Sequence, residues 1–464
     1  DPDWYRYHHL FAEFLRRRLD RDDPERSLRL HRTAAAWFAE HGNLNEAVNH
    51  ALAAEDPNMA VDLVERDETR LLEESKMTTF LEITRKLPPH LLAGRTRLLL
   101  AVAWANVLLH RRAPTDAALN RFERALRGAA LSETARTDLR VEADVLHGVD
   151  DLYADRTDRI DSLVAEALSR PDTLAPRVPG VAGNVAAFAA IYRFDFDATR
   201  KVLDDVALYQ EMMGPFVRVL AHNWAGIAAK YELDIARARC EFSEAFDIGT
   251  KVGSRSHAAR LAGALLGELL YETGELDEAA RLLEMSYELG VEGGGVDYLA
   301  ARYVGSAKVQ AAQGDLQAAA SRLDAGMSAA EMLQLPRLAA TVNNERIRLG
   351  LDVAPAEVAR LRSARTIPRA DGIVALTAEL DEESAVRLLV ASGSADDREQ
   401  GCRRAADLSA AIDAARRPLA ALRAQLLVAE TLSRTGRSDT AIDTAVRRCR
   451  ELGLPRLLVD AGLG

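Results

Sequence analysis

The chain has 464 residues, 48% of them hydrophobic, 28% charged and only 5% aromatic. It is too long for a single small core and too apolar to be disordered, so a solenoid or several compact units are expected. Sixty basic residues against 71 acidic ones give a net charge of −11, which argues against nucleic-acid binding through the overall field. Apolar mass is carried by Ala, Leu and Val, and the Arg- and Glu-rich remainder favours helix.

Cys240, Cys402 and Cys449 fit neither a disulfide framework nor a zinc spacing, and they read as small buried hydrophobes of a reducing, cytoplasmic compartment. No apolar run is long enough for a membrane span. No signal-peptide pattern is present, and the start at Asp1 without Met suggests an excised or trimmed fragment.

The aromatic stretch Trp4-Tyr-Arg-Tyr-His-His-Leu-Phe-Ala-Glu-Phe-Leu-Arg-Arg-Arg-Leu19 leads into a first helix, and a second runs from about Leu28 to Glu40. The turn His41-Gly-Asn-Leu-Asn-Glu-Ala47 follows. Shorter helices are expected over Ala47–Ala54, Pro57–Glu65 and Phe80–Leu87, the last stopped by Pro88-Pro89. Beyond residue 92 one motif repeats. Gly274-Glu-Leu-Asp-Glu-Ala279 separates a helical run over Leu261–Tyr271 from another over Ala280–Leu289, and Gly314-Asp-Leu-Gln-Ala-Ala319 and Gly436-Arg-Ser-Asp-Thr-Ala441 copy it. Weaker copies are Tyr231-Glu-Leu-Asp-Ile-Ala236, Arg193-Phe-Asp-Phe-Asp-Ala198 and Arg112-Ala-Pro-Thr-Asp-Ala117. Aligned on the final Ala, the spacings 198–236, 236–279 and 279–319 are 38, 43 and 40 residues. Glycine ends one helix at positive φ, an acidic residue starts the next, and a small Ala lets the two approach. One such hairpin cannot bury its own apolar stripe, so neighbours must stack. The expected fold is all-α: a tetratricopeptide-like right-handed superhelix of hairpins behind a small helical linker domain. A proline-rich loop is expected over 170–180, and a short helix among looser turns between Gly350 and Gly372, which includes Pro355 and Pro368.

No catalytic constellation is recognisable. The P-loop, dinucleotide, zincin and nucleophile-elbow patterns are all missing. Gly249-Thr-Lys-Val-Gly-Ser254 reads as a helix end plus loop, and Gly293-Gly-Gly295 as an inter-repeat turn. His8-His9, adjacent on one helix, point too far apart to share a metal. Asp150-Asp151 and Asp396-Asp397 read as helix-end carboxylates, and Arg16-Arg17-Arg18 as an exposed helix face or a contact to a neighbouring domain. The chain therefore reads as a non-enzyme with no metal and no cofactor of its own. The inner wall of the superhelix, lined by the first helix of each hairpin, is the candidate site. Registering the repeats places Ala225, Glu268 and Lys308 in one column and Arg218, Leu261 and Ala301 in another. Arg218, His222, Glu268 and Lys308 are the candidate ligand-binding residues. The competing reading is that these are ordinary solvated groove residues.

The N-terminal residues carry a resemblance. Trp4 to Leu19, then Leu30-His31, Ala34-Ala-Ala-Trp37-Phe, Glu40-His-Gly42, Glu46-Ala-Val48 and His50-Ala-Leu52-Ala resemble the MalT-like, large ATP-binding LuxR-family transcriptional regulators. The resemblance implies three parts: residues 1–25 as the end of a winged-helix and nucleotide-binding module, 26–92 as a helical linker, and 93–464 as the superhelical sensor. It implies a small inducer in the superhelix, self-association on activation, and ATP and DNA binding through domains of the full-length protein. This chain lacks the ATP-binding motif and stops at Gly464, so it is expected neither to hydrolyse ATP nor to bind DNA. The alternative is a tetratricopeptide scaffold that binds a peptide or a protein partner.

Overall fold

The computed structural model describes residues 8–73, 76–363, 372–437 and 440–464. The aromatic opening Trp4–Tyr7, Pro368, and Ser438-Asp439 of the last turn motif lie outside them. The chain packs as two compact units, Asp1–Leu139 and Arg140–Gly464. Among the described residues there is helix and no strand.

The first unit contains α1 (His9–Asp22), α2 (Pro24–Glu40), α3 (Leu44–Ala53), α4 (Pro57–Glu73), α5 (Met77–Thr84), α6 (Pro89–Leu92), α7 (Thr96–Leu108) and α8 (Arg112–Gly128), and α9 (Glu133–Tyr153) crosses its boundary. Its core is built from the inward stripes of α2 to α7, including Ala47, Val61, Phe80 and Leu98. Leu10, Phe11 and Phe14 of α1 stay exposed. On the same helix Arg17 pairs with Glu13 and Arg18 with Asp22, so this part of the triple-arginine run is a solvated face.

The second unit continues with α10 (Ile160–Ser169), α11 (Arg177–Tyr192), α12 (Phe196–Met212), α13 (Pro215–Tyr231), α14 (Ile235–Val252), α15 (His257–Thr273) and α16 (Leu276–Tyr287). Next, α17 (Val296–Ala300) passes through a wide π turn at Ala301–Gly305 into α18 (Ser306–Ala312). The chain ends with α19 (Leu316–Leu333), α20 (Pro336–Arg348), α21 (Pro355–Ser363), α22 (Ile373–Val390), α23 (Ala395–Ala411), α24 (Pro418–Arg434), α25 (Thr440–Glu451) and α26 (Pro455–Asp460). Consecutive helices pack as antiparallel pairs and the pairs stack, a solenoid-like all-α architecture. The expected loop at 170–180 is shorter than its three prolines suggested. A single 3-10 turn, Pro171–Thr173, precedes α11, and Pro179 lies inside the first turn of that helix, where a missing N–H costs nothing.

The hairpin turn is more regular than the sequence motif. Gly274 and Gly314 hold the left-handed position at φ 96° and 89°. In other hairpins a bulky residue takes the same conformation: His110, Phe194 and Leu233, at φ 58°, 58° and 64°. In three of these hairpins the side chain of the residue after it caps the next helix. Asp195, Asp234 and Asp315 accept hydrogen bonds from the amides of Ala198, Arg237 and Ala318. Five residues beyond the left-handed position sits the small residue that the neighbouring helix covers: Thr115, Thr199, Ala238, Ala279 and Ala319, each at most 1% exposed. The register read from Ala117, Ala198 and Ala236 is thus one or two residues off. The corrected spacings 199–238, 238–279 and 279–319 are 39, 41 and 40. The slip arises because a non-glycine residue at positive φ is uncommon and carries no signature of its own.

Glycines inside helices set how closely the layers approach. A Cβ on Gly249 of α14 would lie 2.7 Å from the amide nitrogen of Ala259, and one on Gly226 would lie 2.4 Å from the Phe242 ring. At Gly249 the neighbour is backbone and cannot rotate away. Gly249→Ala should therefore lose about 1–3 kcal/mol to overpacking, outweighing the ~1 kcal/mol that alanine gains in helix propensity. Gly128→Ala, with nothing within 4 Å, should keep that gain. Thermal melts of the two variants should move in opposite directions.

The three cysteines are not alike. Cys449 is buried, Cys402 is half-buried and Cys240 is exposed. Cys240 lies on α14 between the buried positions Ala238 and Phe242, so the helical period turns it outward.

Candidate binding chamber

The solenoid of the second unit does not remain an open groove. Its C-terminal hairpins fold back on its middle. Leu233 packs with Leu419, Leu422, Leu426 and Leu458 in one core cluster. Arg417 stacks on the Phe194 ring at 4.2 Å. The short α26 lies against α15, where the Tyr271 hydroxyl donates to Asp460 at 2.8 Å and Arg456 donates to the Tyr271 oxygen at 3.0 Å.

Between these hairpins lies a partly open chamber, with about 220 Å³ open to the centres of water molecules. It is lined chiefly by the first helix of each hairpin: α13, α15, α17–α18, α20, α22 and α24. Its walls mix apolar side chains with charged ones, and most of the charges are paired. Lys230 Nζ lies 2.8 Å from Glu268 and 3.1 Å from Glu272. Burial disfavours the charge of Lys230, but the two carboxylates outweigh it and raise its pKa. Burial likewise opposes the Glu268 charge, while Lys230, Lys308 and Arg423 hold its carboxyl below the usual range. Arg387 donates to Glu430 at 3.1 Å and to the Asn344 side-chain oxygen at 2.9 Å. Arg348 pairs with Glu345 and, at 3.4 Å, with Asp460.

At one end of the chamber Arg337 joins four elements. It donates to both carboxylate oxygens of Asp155, at 2.6 and 2.8 Å, and to Asp297 at 3.2 Å. It also donates to the Tyr192 hydroxyl at 2.8 Å and lies over that ring at 4.5 Å. Tyr192 in turn donates to Asp297. Burial pushes the Asp155 carboxyl up more strongly than Arg337 pulls it down. For Asp297 burial also raises the pKa, but Arg337 and the Tyr192 hydrogen bond dominate and hold it below the usual range.

Of the four residues singled out from the sequence, Glu268 and Lys308 line the chamber and Arg218 and His222 do not. His222 Nδ1 instead lies 2.9 Å from Glu241. The column of Arg218 misses the chamber in either register, since Leu261 and Ala301 do not line it, and the register slip affects only the other column. Counted from the left-handed residue, the column of Glu268 and Lys308 continues to Ile227 rather than Ala225, and Ile227 lines the chamber. Lys230, Arg337, Arg348, Arg387 and Arg423 were not foreseen. Lys230 was within reach of a corrected register, whereas α20 to α24 carry no turn motif from which a register can be set.

Among the described residues, no group of three or more His, Cys, Asp or Glu is placed to hold a metal ion. Nor is any described helix long and apolar enough to cross a membrane.

Over its full length the chain is 60% identical to the serine/threonine-protein kinase PknK of Mycobacterium tuberculosis, and equally to that of Mycobacterium bovis. The chain is homologous to part of PknK. It spans 42% of the length of those relatives. Its likeness to MalT is more distant. Residues 1–27 match the family described as the MalT winged helix domain. An HTH-type transcriptional regulator MalT of Serratia proteamaculans is 32% identical over 36% of this chain and 18% of that protein. Among solved structures, yeast Tom70 aligns over 95% of this chain and 96% of its own, at 13% identity and a TM-score of 0.34.

Proposed function

We propose that this chain is a non-catalytic interaction region of a longer, PknK-like signalling protein, and that its stacked hairpins dock a protein or peptide partner. One observation carries the reading. On the outer helix α12, Leu208 and Met212 sit one turn apart, 67% and 66% exposed, and so form an adjacent apolar pair on one helix face. The identity to PknK over the whole chain supports a kinase-like protein as the setting rather than a MalT-like activator, whose likeness covers about a third of the chain. A photo-cross-linker placed beside Leu208 in the full-length protein should capture one defined partner, and the paired change Leu208→Glu, Met212→Glu should abolish its capture. Undiminished capture by the variant would remove this reading.

The chamber favours a second reading. A small effector bound there would bias the self-association of the longer protein, as the resemblance to MalT-like regulators implies. Residues 1–25 would then close a nucleotide-binding module, 26–92 form a linker and 93–464 act as the sensor.

A further inference from the structure

The ion pairs of the chamber leave a remainder. Arg337, Arg348 and Arg387 are each held by carboxylates at close range, and Lys230 is held by two. Two cations are not. Lys308 of α18 has no carboxylate within 4.0 Å among the described residues, although it lies close enough to Glu268 to lower that carboxyl's pKa. Arg423 of α24 reaches only Glu272, at 3.8 Å, and its side chain keeps 41% of its surface accessible. Lys308 lies one turn beyond Gly305, where a Cβ would stand 4.0 Å from Glu268 Cβ, and Arg423 reaches Glu272, which shares Lys230 with Glu268, so both cations border one region of the chamber. Glu383, which also faces Arg423, is taken by Arg387 at 3.5 Å and by the Asn344 amide at 3.3 Å. Around Glu268 and Glu272 there are thus three cations, Lys230, Lys308 and Arg423, for two carboxylates.

We propose that Lys308 and Arg423 form the anion subsite of the chamber, and that its guest is a compact oxyanion, a carboxylate or a phosphate. The proposal rests on the second reading above, in which the chamber holds a small molecule. A partly desolvated cation gains most from a charge-assisted hydrogen bond, and a planar guanidinium beside an ammonium suits an oxyanion from two sides. Lys230 is already occupied by Glu268 and Glu272, which leaves Lys308 and Arg423 as the cations open to a guest.

The test is calorimetric titration of the chain with inorganic phosphate and, separately, with propionate, against sodium chloride at equal ionic strength. Lys308→Gln and Ala420→Phe are compared with the parent, the second narrowing the chamber at a lining residue without touching a charge. Saturable binding of at least one oxyanion is expected, weakened about tenfold or more in Lys308→Gln, as for one lost charge-assisted hydrogen bond, and abolished in Ala420→Phe. The preferred probe tells phosphate from carboxylate. Binding lost in Ala420→Phe but kept in Lys308→Gln would overturn the anion subsite and leave the chamber reading standing. Binding kept in both would overturn the two together. No binding of either probe by the parent would overturn the subsite.

Discussion

Replacing Arg337 by methionine should destabilise the second unit by about 3–5 kcal/mol, more than any exposed substitution. Methionine fills much of the same volume, so the loss is electrostatic. Asp155 and Asp297 are left buried side by side with no cation, and Tyr192 loses a donor to its hydroxyl oxygen. The pH dependence separates this cause from a packing defect. In the parent, Asp297 is held below its ordinary pKa, so its contribution is present at neutral pH and is lost as pH falls through the folded value. In the variant, burial without Arg337 raises both carboxyl pKa values above those of the unfolded chain. Stability is then lost as pH rises, and the gap between the two proteins narrows on acidification. Melts of Arg337→Met from pH 7 to pH 4.5 should show this convergence; a constant offset would mean that the network contributes only shape. Adding Asp155→Asn and Asp297→Asn should recover part of the loss at pH 7, because the stranded charges are removed.

Ala279→Asp should cost about 3 kcal/mol or more, since Ala279 is fully buried where α15 and α16 meet and a carboxylate there would be taken out of water. At roughly 2–4 °C per kcal/mol for a large unit, melting should fall by about 6–12 °C. Because each hairpin is supported by its neighbours, the loss should spread to the adjoining pairs. A matched pair tests the corrected register directly. Ala238→Asp should be as damaging as Ala279→Asp, whereas Ala236→Asp lies on the exposed first turn of α14, where a negative charge meets the positive end of the helix dipole. Equal effects at 236 and 238 would mean that the turn is aligned wrongly.

The hairpin architecture was legible because its causes are local. Composition, the apolar stripe and the Gly-acid turn act within a dozen residues, so the helices around Gly274 and Gly314 were placed closely from the sequence. The same locality explains the misalignment at Phe194, Leu233 and His110. There the left-handed conformation is imposed by the packing of two helices rather than by glycine, and the Asp cap of Phe194 and Leu233 was read one or two residues away from its true role. By that slip Ile227 was left out of the column that holds Glu268 and Lys308.

By itself, then, the sequence determined the helices, their pairing into hairpins and the recurring small buried residue, since each follows from backbone preference and periodicity over short range. Only the tertiary structure decided that α22 to α26 fold back on α11, α13 and α15 and turn a groove into a chamber. Arg337 meets Asp155 across 182 residues and Tyr271 meets Asp460 across 189. Which cation is neutralised and which is left over depends on distances of 3 or 4 Å between such remote segments, and no periodicity in the chain records them.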